Sequence, residues 1–178
     1  MPDILLDGLP VLDLLEMAPS TSVVAALTQR DQSSISRLYR RVSDRLGLQF
    51  SKQADGRYRA QANQPLLNSL RLASQWLRLH QRPFQLRWLS CAAPPGATNL
   101  PALLPPPLPQ SCSDQRLIAD LLRQRILDLA VLTAEGATAS PPAELVWRPL
   151  MPGAGLLLRA DVEAAPAIAA LVAALPLE

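Results

Sequence analysis

The segment from Ser20 to Gly47, STSVVAALTQRDQSSISRLYRRVSDRLG, constrains the fold more than any other: a short helix, a polar turn, then a second helix rich in Ser and Arg. In that second helix Ile35, Leu38, Val42 and Leu46 recur at helical spacing, while Ser34, Arg37, Arg41 and Arg45 fall largely on the other faces. One face can pack and the other can donate hydrogen bonds. Gln32, Ser33 and Ser34 stand at the predicted helix start, where unpaired backbone N–H groups and short polar side chains can meet phosphates or base edges. Gly47 is expected to close the helix. The pattern suits a helix-turn-helix whose second helix lies against nucleic acid; an amphipathic core helix with solvated arginines would read the same in isolation.

The residues after Gly47 favour nucleic acid. LQFSKQADGRYRAQ reads as two short strands joined at Asp55-Gly56, a dipeptide suited to a tight hairpin turn. A β-hairpin behind such a helix is a wing. Lys52, Arg57 and Arg59 place cations on it and Gln53 adds a donor and an acceptor near its tip. Between Arg30 and Arg82 there are eleven cations against three acids, a local charge of +8 that the whole-chain value of +2 conceals. Residues 1–29 carry four acids and no cation. A charge so localised is the footprint expected for a polyanion partner.

From Leu12 to Leu67 these residues resemble the winged helix-turn-helix of LysR-type transcriptional regulators. Ala25 and Ala26 occupy the place of the paired alanines in the family's scanning helix. Gln32, Ser33, Ser34, Ile35, Ser36 and Arg37 follow the start of its recognition helix, and Leu46-Gly47 matches its end. The resemblance implies contacts with double-stranded DNA through Gln32, Ser33, Ser34, Ser36, Arg37 and Arg41, and through the wing at Lys52, Gln53 and Arg57. The chain departs from the pattern at Ser33, where Pro is frequent, and at Val42-Ser43, where an acid usually follows a leucine. Phe50-Ser51-Lys52-Gln53 replaces Leu-Phe-x-Arg, so the wing arginine is missing or displaced.

Asn63 to Arg82 opens with Asn and an early Pro, expected as N-cap and first turn, and then runs as helix. Leu66, Leu70, Ala73, Leu77 and His80 are spaced four, three, four and three, a short heptad seam. In LysR-like proteins the equivalent helix joins two subunits, which implies a homodimer through Leu66, Leu70, Ala73 and Leu77. A helix packed on its own domain with Trp76 buried is the competing expectation. His80, the single histidine, is expected on the seam or the surface rather than as a ligand.

The second half reads as a small α/β unit. Phe84–Ser90 alternates like a strand, Asp114–Leu127 is an amphipathic helix and Asp128–Thr133 a short buried strand, together a βαβ crossover. Prolines between Ala92 and Pro109 favour an extended, polyproline-like loop. Leu145–Leu150 and Gly155–Arg159 are candidate strands and Val162–Leu175 a final helix. Leu121 to Val131 is similar to a βα segment of the LysR effector domain, here shortened so that one wall of the family's small-molecule pocket is missing. An effector is therefore doubtful. Ser90 and Thr98 stand near the place where family members hold one, although a polar residue at a strand end more often caps a loop.

Other classes fit poorly. Cys91 and Cys112 lack CxxC spacing or histidine companions, so no metal site and no cofactor is expected. There is no P-loop, GxGxxG, HExxH or nucleophile elbow, and with one histidine an enzyme is not expected. MPDILLDGLP is acidic where a secretory signal needs cations, and AAPAIAALVAALPL is too short to span a bilayer, which suggests a cytoplasmic protein with no membrane partner. The expected architecture is α+β: a winged helix-turn-helix at 1–62, a linker helix at 63–83 and a truncated α/β effector-like domain at 84–178. The expected function is a dimeric DNA-binding transcriptional regulator. The alternative is a degenerate regulator, a protein-interaction module that does not read DNA.

Overall fold

The computed structural model describes residues 3–81, 85–91, 114–133, 142–151 and 153–173. The chain is α+β and divides into two compact units, residues 1–74 and 75–178. The division falls inside a helix. The polyproline-like loop, Thr98, Cys112 and Phe84 lie outside the described residues.

In the first unit a π-helical turn, Ile4–Gly8, leads into α1, Leu9–Met17, then α2, Thr21–Thr28, and α3, Gln32–Leu46. Strands β1, Phe50–Lys52, and β2, Tyr58–Ala60, pair antiparallel, with Ser51 opposite Arg59. Local chemistry sets the boundaries. Pro10 begins the first turn of α1, where its missing N–H costs nothing. Ser20 Oγ accepts from the Val23 N–H at the start of α2, and Gly47, in the left-handed region at φ +62°, ends α3. The core gathers Leu9, Leu12 and Leu15 from α1, Val24 and Ala25 from α2, and Ile35, Leu38 and Val42 from α3. Burying each large aliphatic side chain contributes about 1.5–3 kcal/mol.

Helix α4, Gln64–His80, begins in the first unit and ends in the second. Asn63 does not cap it as expected. That residue lies at φ +56°, and its side-chain amide donates to the Leu46 carbonyl at 2.7 Å, satisfying the end of α3 instead.

The inward face of α4 is polar. Leu67 and Leu79 are buried there, but so are Arg71, Ser74, Gln75 and Arg78. Arg71 donates Nε to Asp13 Oδ1 at 2.8 Å and Nη2 to Glu16 Oε1 at 2.9 Å, with all three side chains excluded from water. Two carboxylates therefore share one guanidinium. Burial pushes the Glu16 carboxyl above its usual value, with Arg71 opposing. Burial works against the Arg71 charge, yet the facing carboxylates hold its pKa up.

The second unit contains the end of α4, β3 (Trp88–Ser90), α5 (Gln115–Arg123), β4 (Leu129–Thr133), β5 (Leu145–Met151), β6 (Ala154–Arg159), a 3₁₀ turn at Ala160–Val162, and α6 (Pro166–Ala173). The sheet order is β3-β4-β6-β5. β3 and β4 are parallel, as a βαβ crossover requires, while β6 runs antiparallel to both β4 and β5. Leu129, Val131, Leu156 and Leu158 share a core with Leu79 of α4 and with Ile168 and Leu171 of α6. α5 packs on β6. The last helix starts later than the sequence suggests because Pro166 is disfavoured anywhere but its first turn. β5, at the edge, carries Pro149 and a register shift between Pro149 and Met151.

Asp128, fully buried just before β4, collects four donors: Arg78 Nε and Nη2 at 2.8 Å each, Gln75 Nε2 at 3.1 Å, and the Arg87 backbone N–H at 2.9 Å. Among the described residues no helix is long and apolar enough to cross a membrane.

Arg71→Met leaves two buried carboxylates facing each other and should cost about 3–5 kcal/mol in urea unfolding. Glu16 behaves differently. Its pKa is raised on folding, so its contribution is complete below the ordinary carboxylate range and is lost as pH rises through the raised value. Glu16→Gln should therefore gain in melting temperature relative to the native chain as pH rises. A gap that widens as pH falls would contradict the assignment.

Candidate nucleic-acid interface

Helices α2 and α3 pack through Val24, Ala25, Ile35 and Leu38, which turns the remaining faces of α3 outward. Gln32, Ser33, Arg37, Arg40, Arg41, Asp44 and Arg45 are exposed, while Ser34 and Ser36 are half-buried. Arg37, Arg40 and Arg41 have no carboxylate within ion-pair distance among the described residues. Spaced three and four residues apart, they form one continuous basic surface.

The start of α3 is occupied from within. Its N-cap is Asp31, whose carboxylate accepts from Ser33 Oγ at 2.5 Å, from the Ser34 N–H at 2.7 Å and from Ser34 Oγ at 2.5 Å. The Ser33 and Ser34 hydroxyls, then the Ser34 N–H, hold this carboxyl well below the usual range, so it remains ionised. Arg37 Nη2 donates in turn to Ser34 Oγ at 3.2 Å, and Gln32 Nε2 to Thr21 Oγ1 at 3.0 Å. Gln32, Ser33 and Ser34 are thus gathered at the expected place, with side-chain donors already engaged. Sequence reasoning counted Asp31 only as a charge, and Arg40 only in the local total. An Asp three residues before Ser34, at the boundary of a periodic apolar run, was the available signal for a cap.

The hairpin is fixed to α3 by aromatic rings. Tyr39 meets Phe50 edge-on and Tyr58 tilted, with centroids 5.6 Å apart in both pairs, and burial pushes the Tyr39 hydroxyl pKa up. Lys52 and Gln53 stand exposed at the end of β1. Arg57 does not join them. Its Nε donates to the Met17 carbonyl at 2.9 Å and its Nη1 pairs with Asp55 at 3.1 Å, leaving the side chain 26% exposed. Next to it Gly56, at φ +85°, passes so close to α1–α2 that a Cβ would lie 2.6 Å from the Pro19 carbonyl oxygen. The turn is longer than a two-residue loop: the Gln53 N–H reaches the Arg57 carbonyl, and the Gly56 N–H returns to Gln53.

Along α4 the expected seam is split. Leu66 and Ala73 are exposed, whereas Leu70 is half-buried against the first core and Leu77 is also half-buried. Leu72 and Trp76 stand outward beside them, Trp76 at 52% exposure and stacked on His80. The two charged residues of this helix, Arg71 and Arg78, are both buried, so its exposed face carries no formal charge.

In the second unit Ser90 and Cys91 lie at the carboxyl end of β3, beside Val131 of β4, and Thr133 ends β4. Thr98 is outside the described residues. Among the described residues no three His, Cys, Asp or Glu side chains cluster as metal ligands would.

Compared with protein families, with characterised proteins and with solved structures, the chain matches none.

Arg57→Ala should speed amide hydrogen exchange through residues 53–57 by releasing the turn from α1, while Lys52→Ala leaves exchange there unchanged. Equal effects of both would remove the pinning role.

Proposed function

We propose that the chain is a DNA-binding transcriptional regulator of LysR-like type, acting as a dimer. The observation that carries this reading is the basic face of α3, where Arg37, Arg40 and Arg41 are exposed without carboxylate partners, beside a hairpin held at a fixed angle by the Tyr39–Phe50–Tyr58 contacts. In this reading α3 is the recognition helix of a winged helix-turn-helix. Arg37 and Arg41 reach base edges or flanking phosphates in the major groove, and Lys52 and Gln53 rest on the adjacent backbone. Arg57 supports the wing rather than touching DNA. Asp31 keeps phosphate away from the helix start, so the binding charge comes from farther along α3.

The uncharged outward face of α4 supports pairing with a second copy. Solvated helices of this length ordinarily present charge, and a neutral surface with Leu66, Leu72 and Trp76 around Ser69 and Ala73 can meet its own copy without repulsion. The alternative, an interaction module that does not read DNA, draws on the same face and on the engaged donors at the start of α3.

Fluorescence anisotropy with the chain's own upstream DNA and a scrambled duplex, at low and physiological salt, separates the two. For a DNA reader, Arg37→Ala should cost about 1–3 kcal/mol at the preferred sequence. Arg41→Ala should lower the salt slope by about one unit if it meets a phosphate. Equal, salt-sensitive binding to both duplexes would favour the interaction module. Trp76→Glu should turn dimers into monomers in sedimentation; an unchanged mass would remove α4 from the interface.

A further inference from the structure

The sequence contains two Asp-Gly pairs, Asp7-Gly8 and Asp55-Gly56. In such a pair no Cβ screens the glycine nitrogen, so it can attack the aspartate side chain and re-route the backbone through it. Two things decide whether it does: the freedom of the backbone at the pair and the engagement of the carboxylate.

The pairs differ in backbone freedom. Gly8 is buried, with helical dihedrals (φ −77°, ψ −57°) and its N–H on the Asp3 carbonyl at 3.0 Å. A π-helical turn ends there and α1 follows, so attack would have to unwind helical structure on both sides. Asp55-Gly56 lies in the hairpin turn, with 50% of the Asp55 side chain exposed. At that turn nothing can replace the glycine: its φ is +85°, and a Cβ would collide with the Pro19 carbonyl oxygen. Packing the hairpin against α1–α2 thus requires the very residue that leaves Asp55 open to attack.

Arg57 supplies the restraint. Asp55 Oδ1 accepts the Arg57 backbone N–H at 3.0 Å, the local turn that Asp favours, and Oδ2 accepts from Arg57 Nη1 at 3.1 Å. The guanidinium is fixed in turn by Nε, which donates to the Met17 carbonyl at 2.9 Å. The Gly56 N–H is engaged as well, on the Gln53 carbonyl at 3.0 Å. Whichever carboxylate oxygen departs must give up a bond to Arg57.

We propose that Asp55 is a site of spontaneous isoaspartate formation, held in check by Arg57. When the guanidinium releases, the Gly56 nitrogen attacks Asp55 Cγ. The N–Cγ bond forms, a Cγ–O bond breaks, and the oxygen leaves as water with the amide hydrogen and a proton from solvent. Water then opens the cyclic imide and the proton returns to solvent. Breaking the N–Cγ bond restores aspartate; breaking the bond from that nitrogen to the Asp55 main-chain carbonyl carbon leaves the chain running through Cβ and Cγ. No other reactant is consumed, and the mass is unchanged. The isoaspartate backbone is one carbon longer, which disrupts the Gln53 N–H bond to the Arg57 carbonyl that closes the hairpin. This holds whatever the hairpin touches, DNA included.

Ageing the folded full chain for weeks at neutral pH and body temperature, followed by tryptic mapping and labelling with an isoaspartyl methyltransferase, tests this. A synthetic peptide of residues 50–60 sets the unrestrained rate. Isoaspartate should form at Asp55 and not at Asp7, several-fold more slowly in the native chain than in the peptide. Arg57→Met should bring the rate close to that of the peptide, while the melting curve shows the chain still folded. Arg57→Lys, which keeps a cation near Asp55 but has no Nε for Met17, should fall between, and Lys52→Ala should leave the rate unchanged. The separated isoaspartate form should exchange the amides of residues 53–57 faster than its parent. A native rate equal to that of the peptide, folded Arg57→Met and Arg57→Lys chains no faster than native, or conversion at Asp7 outpacing Asp55 would overturn the proposal.

Discussion

The Arg71 guanidinium, shared by two buried carboxylates, fixes which face the start of α4 turns to the core of the first unit. Arg71 reaches both Asp13 and Glu16, which lie one turn apart on α1. Within the second unit the end of the same helix buries Gln75 and Arg78, which meet Asp128. An ion pair of this kind adds little net stability over an apolar replacement, because desolvating the charges offsets their attraction. Its effect here is to choose a face. With these polar residues buried, Leu66, Leu72 and Trp76 of the same helix are left exposed.

That constraint explains which parts of the chain were legible. The apolar spacing of Ile35, Leu38 and Val42, the Gly47 stop and the run Leu129–Thr133 are patterns that local burial enforces, and each lies where the spacing puts it. α1 escaped notice because Asp13 and Glu16 read as solvated residues until a partner 58 and 55 positions away in sequence is known. The heptad along α4 gave no role to Leu72, and Trp76, buried in the competing expectation, is exposed. Periodicity marks a stripe, but arginines that seek water in most helices seek carboxylates here.

At the candidate interface the legible part was charge, and the hidden part was which charges are committed. Arg37 and Arg57 look alike in sequence. One projects from an exposed helix face, and the other is half-buried with its donors on a main-chain carbonyl and a neighbouring carboxylate. Likewise the serines at the start of α3 read as donors for a partner, whereas Asp31 already receives them. Only tertiary geometry separates a cation left on the surface from one that holds a turn.

The edge of the four-stranded sheet has a different significance. β5 has β6 on one side and no strand on the other among the described residues, and an open edge is a template on which foreign strands can grow. Pro149 withholds a backbone donor from that edge, and the register shift beside it breaks the regular ladder. A chain nearly half hydrophobic thereby carries, at this edge, its own protection against strand-by-strand polymerisation.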